Sequence, residues 1–272
     1  MGLQRVQRGL LAVHAHPDDE SLFTGGVLAQ HAAEGVPTAV VTCTDGEIAE
    51  GTPYAPRGTR AKELAQALTV LRAGEPDILR FRDSGPAGRG PGSLCEAPFD
   101  TLVAQLVDRI RRLRPTAVTA YDAFGVYGHP DHIRVHRAVL AAVEAAARNE
   151  LYPEAGRAWE VHSVWLATVP DSLVRQLTAM GLDAPLPSTP DDRIAAAVDV
   201  RPWLDVKWEA IQAHGSEFAR GARISAFAEP RVRRLCLGTE WFMHRPGPAA
   251  RPASSAPRLQ ARGHTRLLAD PC

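Results

Sequence analysis

The sequence has few cysteines, and this scarcity excludes one class of protein. Four cysteines occur among 272 residues, and no two of them have the CxxC spacing. They are too sparse to build a disulfide framework in a chain of this length. We therefore expect free thiols in a reducing compartment, and we predict a cytoplasmic location.

The sequence also lacks an excess of either charge and any long apolar run. Lysine plus arginine and aspartate plus glutamate both number 31, so the formal net charge is zero. Such a chain has no field that would attract nucleic acid or an anionic membrane. No window contains the roughly 20 consecutive apolar residues of a membrane span, and we expect no signal peptide. A small neutral or mixed-charge substrate is predicted, with no nucleic-acid or membrane partner, and a homo-oligomer stays open.

Strand and helix patterns alternate over most of the chain. Apolar or β-branched runs predict strands at residues 10–13, 38–44, 78–82, 116–121, 161–168 and 195–200. Apolar residues at helical spacing predict helices at residues 24–34, 60–71, 99–113, 130–147 and 203–218. This alternation is typical of an α/β fold in which helices cover both faces of a mostly parallel sheet. We expect one domain over residues 1–245 and a disordered tail, rich in Pro, Ala, Arg and Ser, over residues 246–272.

Two clusters of histidine and carboxylate residues follow predicted strands: His14-Ala-His16-Pro-Asp18-Asp19-Glu20 and Tyr127-Gly-His129-Pro-Asp131-His132. Since ligands of open α/β sheets bind at the carboxyl ends of the strands, both clusters are expected at one crevice. Imidazole nitrogen and carboxylate oxygen suit zinc, whose catalytic sites use three protein ligands. We predict His16, Asp19 and His132 as the ligands. Iron, manganese or cobalt could bind the same site, since selection among them depends on availability.

The neighbours of these ligands carry the remaining chemistry. A catalytic zinc ion lowers the pKa of a water molecule to ~7, but a base must still move the proton to the leaving amine. Asp18 is next to a predicted ligand without being one, which makes it the candidate base. An attacked amide carbonyl becomes negative and needs donors. We expect them to be the Tyr127 hydroxyl and a protonated His129 that is held by Asp131.

Several segments between Leu10 and Ala147 resemble the LmbE-like, or PIG-L, deacetylases, which include N-acetylglucosaminyl-phosphatidylinositol deacetylases and enzymes of the mycothiol and bacillithiol pathways. The segments are AHPDDE, the VTCT strand followed by Gly46-Glu47, the helix from Arg60 to Leu68, Arg82-Asp83-Ser84-Gly85, and YGHPDH. Two such motifs in the right order are more specific than either alone. The short region from Thr44 to Arg60, and Pro86 where the family has methionine, are departures that leave the substrate open.

The resemblance implies a Rossmann-like fold with zinc held by His16, Asp19 and His132 and with Asp18 as the base. It also implies that Tyr127, His129 and Asp131 assist at the oxyanion, and that Arg60 and Asp83 hold the substrate. The predicted reaction removes the N-acetyl group of an N-acetyl amino sugar of the N-acetylglucosamine type, or of its glycoside, and releases acetate and a free amine.

Other functions fit parts of the same pattern. The same site could hydrolyse the cysteinyl amide of a mycothiol conjugate, or the chain could be a non-catalytic sugar-binding homologue, which would not need Asp18. A nucleotide-binding Rossmann protein is disfavoured because Gly25-Gly26 belongs to neither a GxGxxG nor a Walker pattern. His136 is expected to pack near the site without binding metal. The other histidines are expected to be structural: His14, His31, His162, His214, His244 and His264.

Overall fold

The computed structural model describes residues 9–48, 55–182, 186–219 and 227–250. The strands within these ranges are β1 (Leu10–His14), β2 (Thr38–Ile48), β3 (Asp77–Asp83), β4 (Ala117–Tyr121), β5 (Ser163–Thr168), β6 (Ala196–Asp199) and β7 (Thr239–Pro246). They form one sheet in the order β3-β2-β1-β4-β5-β7-β6. The strands from β1 to β5 pair in parallel, whereas β7 is antiparallel to both β5 and β6. The predicted α/β fold with a mostly parallel sheet is confirmed.

Helices cover both faces of this sheet. Those described are α1 (Asp19–Phe23), α2 (Gly25–Ala33), α3 (Thr59–Leu71), α4 (Phe99–Leu113), α5 (Gly125–Gly128), α6 (Pro130–Ala146), α7 (Asp171–Ala179), α8 (Leu204–Gln212), α9 (Gly215–Ala219) and α10 (Pro230–Leu237). Successive side chains of a strand point to opposite faces, so Leu11 and Val13 of β1 join the core under α4 and α6. Leu10 and Ala12 join the core under α2 and α3. None of the helices in the described ranges has both the length and the apolarity that a bilayer span requires.

Two elements near the C-terminus differ from the sequence-based expectation. The predicted helix over residues 203–218 is interrupted at His214 and forms α8 and α9, while β7 was not predicted. The backbone N–H groups of Gly247 and Ala249 continue beside β5 and donate to the carbonyls of His162 and Val161, at 2.9 and 3.2 Å. The predicted disordered tail lies outside the described residues from 251 onward.

A buried carboxylate from β7 closes the N-terminus of α2. Glu240 accepts hydrogen bonds from the backbone N–H groups of Gly26 and Val27, at 2.7 and 3.0 Å, and pairs with the Lys207 ammonium at 2.7 Å. The first N–H groups of a helix have no partner within the helix and attract anions. A Cβ atom on Gly26 would lie 2.3 Å from Cβ of Val200. Close packing therefore accounts for this glycine, and the protein's own carboxylate fills the anion position.

Candidate active site

The carboxyl ends of β1 and β4 bring three donor atoms to one point. His16 and Asp19 follow β1, and His132 lies in the first turn of α6, after β4. Nδ1 of His16 is 3.2 Å from Nε2 of His132. Oδ2 of Asp19 is 3.4 Å from that His16 nitrogen and 3.3 Å from that His132 nitrogen. All three side chains are buried, and His16 and His132 meet although they are 116 positions apart in the sequence.

The three donors fit a divalent ion. Ligand atoms that lie ~2.0–2.1 Å from a tetrahedral zinc ion are themselves roughly 3.3–3.4 Å apart, which matches the observed separations. The opposite nitrogen of each imidazole has an acceptor: His132 Nδ1 is 3.1 Å from the Gly125 carbonyl, and His16 Nε2 is 3.1 Å from Oδ2 of Asp131. Each acceptor favours a proton on the ring nitrogen that it contacts. The other ring nitrogen, Nδ1 of His16 and Nε2 of His132, then has a free lone pair that points toward Asp19, as metal ligation requires.

Asp131 contacts His16 rather than the ring of His129. Besides His16, the buried Asp131 carboxylate accepts hydrogen bonds from the backbone N–H and hydroxyl of Ser84 and from the Cys95 thiol. His129 is the N-cap residue of α6, and its Nδ1 accepts the backbone N–H of Asp131 at 3.2 Å. A carboxylate oxygen of Asp131 lies within 4.8 Å of a ring nitrogen of His129, but the hydrogen bonds of that carboxylate go to His16, Ser84 and Cys95. The expectation that the Asp131 carboxylate holds His129 is therefore wrong.

His129 is also neutral rather than protonated. Burial and the neighbouring imidazoles of His16 and His132 lower the pKa of His129 to about 4. A dication in the adjacent site would act in the same direction. Because Nδ1 is an acceptor, the single ring proton lies on Nε2, which is 3.9 Å from Oδ1 of Asp83. The predicted imidazolium is corrected to a neutral imidazole that can donate one hydrogen bond through Nε2.

Asp18 occupies a strained turn beside Arg60. Its φ is 125°, a conformation that costs a non-glycine residue roughly 1–3 kcal/mol. The backbone N–H of Asp18 donates to Oε2 of Glu20 at 2.9 Å, and Oε1 of Glu20 is 2.8 Å from Nε2 of His214. Oδ2 of Asp18 is 3.2 Å from the Arg60 guanidinium. Burial raises the pKa of the Asp18 carboxyl to about 8, although Arg60 opposes the shift.

A cavity of about 200 Å³ opens beside the three donors. Its walls are formed by His16, Asp18, Arg60, Asp83, Gly85, Pro86, Tyr127, His129 and Glu217. Tyr127 lies at the exposed rim with its ring edge-on to His132, at a centroid distance of 4.9 Å. Arg60 contacts Oε1 of Glu217 at 3.4 Å and the carbonyls of Pro17 and Gly46. Six of the nine predicted site residues thus line this cavity. The other three, Asp19, Asp131 and His132, contact His16.

Sequence reasoning missed Glu217, Ser84 and Tyr121. Ser84 belongs to the RDSG segment, so the motif could have indicated that this residue lies beside the site. Tyr121 is the last residue of β4, and its hydroxyl lies 2.6 Å from Oδ2 of Asp19. No sequence pattern indicated Glu217, because α9 reaches the pocket from a remote part of the chain.

The histidines outside the donor set make internal contacts. His14 is 2.9 Å from the Thr24 hydroxyl, and His31 is 2.7 Å from the Val27 carbonyl. Nδ1 of His136 is 2.9 Å from the carbonyl oxygen of Tyr121, so this residue packs near the site as expected. His264 lies outside the described residues.

Comparisons with known proteins agree with the sequence motifs. The family model for PIG-L, GlcNAc-PI de-N-acetylase, matches residues 11–143. A 1D-myo-inositol 2-acetamido-2-deoxy-alpha-D-glucopyranoside deacetylase from Rhodococcus jostii (strain RHA1) is 43% identical over 78% of this chain and 82% of its own length.

Two solved structures share the fold. N,N'-diacetylchitobiose deacetylase from Pyrococcus horikoshii is 19% identical with a TM-score of 0.62, over 90% of this chain and 88% of its own. The 4-carboxy-2-hydroxymuconate hydratase GalB from Pseudomonas putida KT2440 is 20% identical with a TM-score of 0.61, over 87% of this chain and 95% of its own. Since these two proteins catalyse different reactions, the fold alone does not decide the chemistry. The sequence relationship does decide the family: this chain belongs to the PIG-L family of LmbE-like deacetylases.

Proposed function

We propose that this protein is a zinc-dependent hydrolase that removes the acetyl group from the nitrogen of an N-acetylglucosamine-type amino sugar. The observation that carries the proposal is the convergence of His16, Asp19 and His132 at 3.2–3.4 Å beside a cavity and a carboxyl group. The Rhodococcus jostii relative is named for an acetamido-glucopyranoside of inositol. An inositol glycoside is therefore the first substrate to test.

Asp18 is the proposed base. When bound, the ion supplies a Lewis acid for the amide carbonyl and acidifies a water molecule. Asp18 faces the cavity, takes up the proton of the attacking water and returns it to the departing amine. A carboxyl whose pKa lies near the working pH suits both tasks. The pKa of Asp18, about 8 with the opposing effect of Arg60 already included, would be pulled down further by a neighbouring dication.

His129 and Tyr127 are the proposed donors to the oxygen that becomes negative. Both residues line the cavity, and because Nδ1 of His129 accepts a backbone N–H, Nε2–H is the donor that a neutral His129 can offer. Donors fixed before the reaction stabilise developing charge without having to reorganise. The Asp131 carboxylate accepts a hydrogen bond from the His16 ring. Its proposed role is therefore to orient a metal ligand rather than to stabilise the oxyanion.

Asp83 and Arg60 are the proposed substrate-binding residues. Despite burial, His16 keeps the pKa of Asp83 below its ordinary value. Asp83 is therefore an ionised acceptor at the cavity wall, suited to hydroxyl groups of a sugar. The Arg60 guanidinium contacts the carboxylates of Asp18 and Glu217 and so holds the Asp18 side chain in place at the pocket wall.

The proposal is tested by assaying released amine. Chelator-stripped protein is reloaded separately with Zn²⁺, Fe²⁺, Mn²⁺ or Co²⁺ and incubated with three substrates: the acetamido-glucopyranoside of inositol, a methyl glycoside of N-acetylglucosamine, and a cysteinyl amide conjugate. We expect reloaded protein to deacetylate the amino sugars and stripped protein to be inactive. Release of amine only from the conjugate would favour the amidase alternative, and no reaction with any substrate would favour a binding role. The cytoplasmic location and a homo-oligomer stay predictions.

A further inference from the structure

Tyr121 lies at the carboxyl end of β4, buried directly beneath the three donors. Its hydroxyl oxygen is 2.6 Å from the backbone nitrogen of Ala15 and 2.6 Å from Oδ2 of Asp19. A backbone N–H can only donate, so the phenol accepts from Ala15 and its own proton is directed to Asp19. The oxygen that receives this proton is the one that faces His16 and His132.

The ring of Tyr121 also supports His132, a second of the proposed metal ligands. It stacks on the imidazole of His132 at a centroid distance of 4.1 Å and an interplanar angle of 10°. Phe23 and His14 contact the Tyr121 ring edge-on, at centroid distances of 5.9 and 5.7 Å. His136 holds the Tyr121 carbonyl from α6. Tyr121 is thus fixed on several sides, and its rotation would displace His132.

We propose that Tyr121 is a positioning residue of the metal site, which aligns Asp19 through its hydroxyl and His132 through its ring. The two ligands come from the segment after β1 and the segment after β4, and this one side chain contacts both. The inference rests on the proposed function, because it requires that the donors bind an ion. It extends that function by naming what sets the ligand geometry.

Tyr121→Phe tests this role because it removes the hydroxyl and keeps the ring. Loss of a hydrogen bond to a ligand commonly weakens metal affinity about 10–100-fold. We expect a loss of this size for Zn²⁺ in competition with a chromophoric chelator. With Co²⁺ as the probe, we also expect a changed absorption spectrum. Tyr152→Phe is the matched control, since it removes a phenol that bonds the Asp100 carboxylate at the protein surface.

The outcomes separate this inference from the function on which it rests. A Tyr121→Phe protein with wild-type Zn²⁺ affinity and Co²⁺ spectrum would overturn the positioning role, even if its free energy of unfolding fell. A wild-type protein that binds none of the divalent ions would overturn the proposed function instead.

A measurement on the intact hydroxyl covers the case in which Tyr121→Phe does not fold. 3-Fluorotyrosine is incorporated throughout the protein, and the ¹⁹F resonance of Tyr121 is assigned with Tyr54→Phe, Tyr127→Phe and Tyr152→Phe variants. We expect Zn²⁺ to shift the Tyr121 resonance and to leave that of Tyr152 in place. A Tyr121 resonance that Zn²⁺ does not move would overturn the inference.

Discussion

Asp131 lies directly behind His16, with Oδ2 3.1 Å from the ring nitrogen that faces away from the other donors. A carboxylate in this position fixes the tautomer of a ligand histidine and raises its basicity. Asp131 is itself held by Ser84 and Cys95. The site is therefore supported by a hydrogen-bonded layer that the ligand residues alone do not reveal.

Replacing Asp131 with Asn is expected to weaken Zn²⁺ binding about 10–100-fold, because the amide cannot raise the basicity of His16 as a carboxylate does. The measurement is chelator competition on purified protein. Asp100→Asn, at an exposed position of α4, is the control and should bind like wild type. Equal affinities for the two variants would contradict this role of Asp131.

Asp18→Asn is expected to retain Zn²⁺ but to lower kcat about 10²–10⁴-fold, the usual contribution of a general base. Metal analysis and amine release are measured on the same preparation. Asp45→Asn is the matched control, because Asp45 is a nearby, half-buried carboxylate whose oxygen accepts the Glu47 backbone N–H. Near-normal turnover of the Asp18 variant would show that another group moves the proton.

Two glycines beside the second motif offer a matched pair of alanine variants. Gly125 and Gly128 both have positive φ, of 67° and 91°. A Cβ on Gly125 would lie 2.6 Å from Cβ of His132, whereas a Cβ on Gly128 would meet nothing within 4 Å. Gly128→Ala should therefore incur only the cost of a left-handed residue, about 1–2 kcal/mol. Gly125→Ala should lose a further 1–3 kcal/mol or so from overpacking.

The readouts for this pair are the free energy of unfolding by denaturant and Zn²⁺ affinity by chelator competition. We expect weaker Zn²⁺ binding only for Gly125→Ala, because only that methyl group displaces His132. Indistinguishable variants would mean that the site tolerates a shift of this helix.

The buried pair of Glu20 and His214 predicts a pH window of added stability. Burial disfavours both charges, but pairing prevails: it raises the pKa of His214 above 6.5 and lowers the pKa of Glu20 below 4.5. The contribution of His214 is complete below pH 6.5 and is lost as pH rises through its raised pKa. That of Glu20 is present above pH 4.5 and is lost as pH falls through its lowered pKa.

His214→Gln should therefore lower the free energy of unfolding most between pH 4.5 and 6.5. The expected difference is about 1–3 kcal/mol, because a buried charged acceptor loses its ionic partner. Denaturant unfolding of metal-free wild type and variant across pH 4 to 9 measures it. A difference that stays constant over this whole range would contradict the charged pair.

Much of the fold could be predicted because parallel strands covered on both faces are apolar throughout. Leu10–His14 and Ala117–Tyr121 have this pattern, and each is followed by a motif. Because parallel strands end at one edge of the sheet, this pattern predicts that His16 and His132 lie close together.

The rest depends on contacts between remote residues. β7 carries Glu240 at a buried position, and that carboxylate is satisfied by Lys207 and the N-terminus of α2. No local pattern shows such a partner. The Asp131 carboxylate likewise contacts His16 and Ser84, which lie in remote parts of the chain, and spacing along the sequence does not reveal these contacts.

Glu240 also has a consequence for folding during synthesis, because the N-terminus of α2 and the Lys207 ammonium both depend on its carboxylate. Until β7 leaves the ribosome, Lys207 has no counter-charge to bury with it, and Gly26 and Val27 have no acceptor for their N–H groups. An uncompensated buried charge costs several kcal/mol. The motifs that carry the chemistry are made first, but the N-terminus of α2 is satisfied only after β7 has emerged.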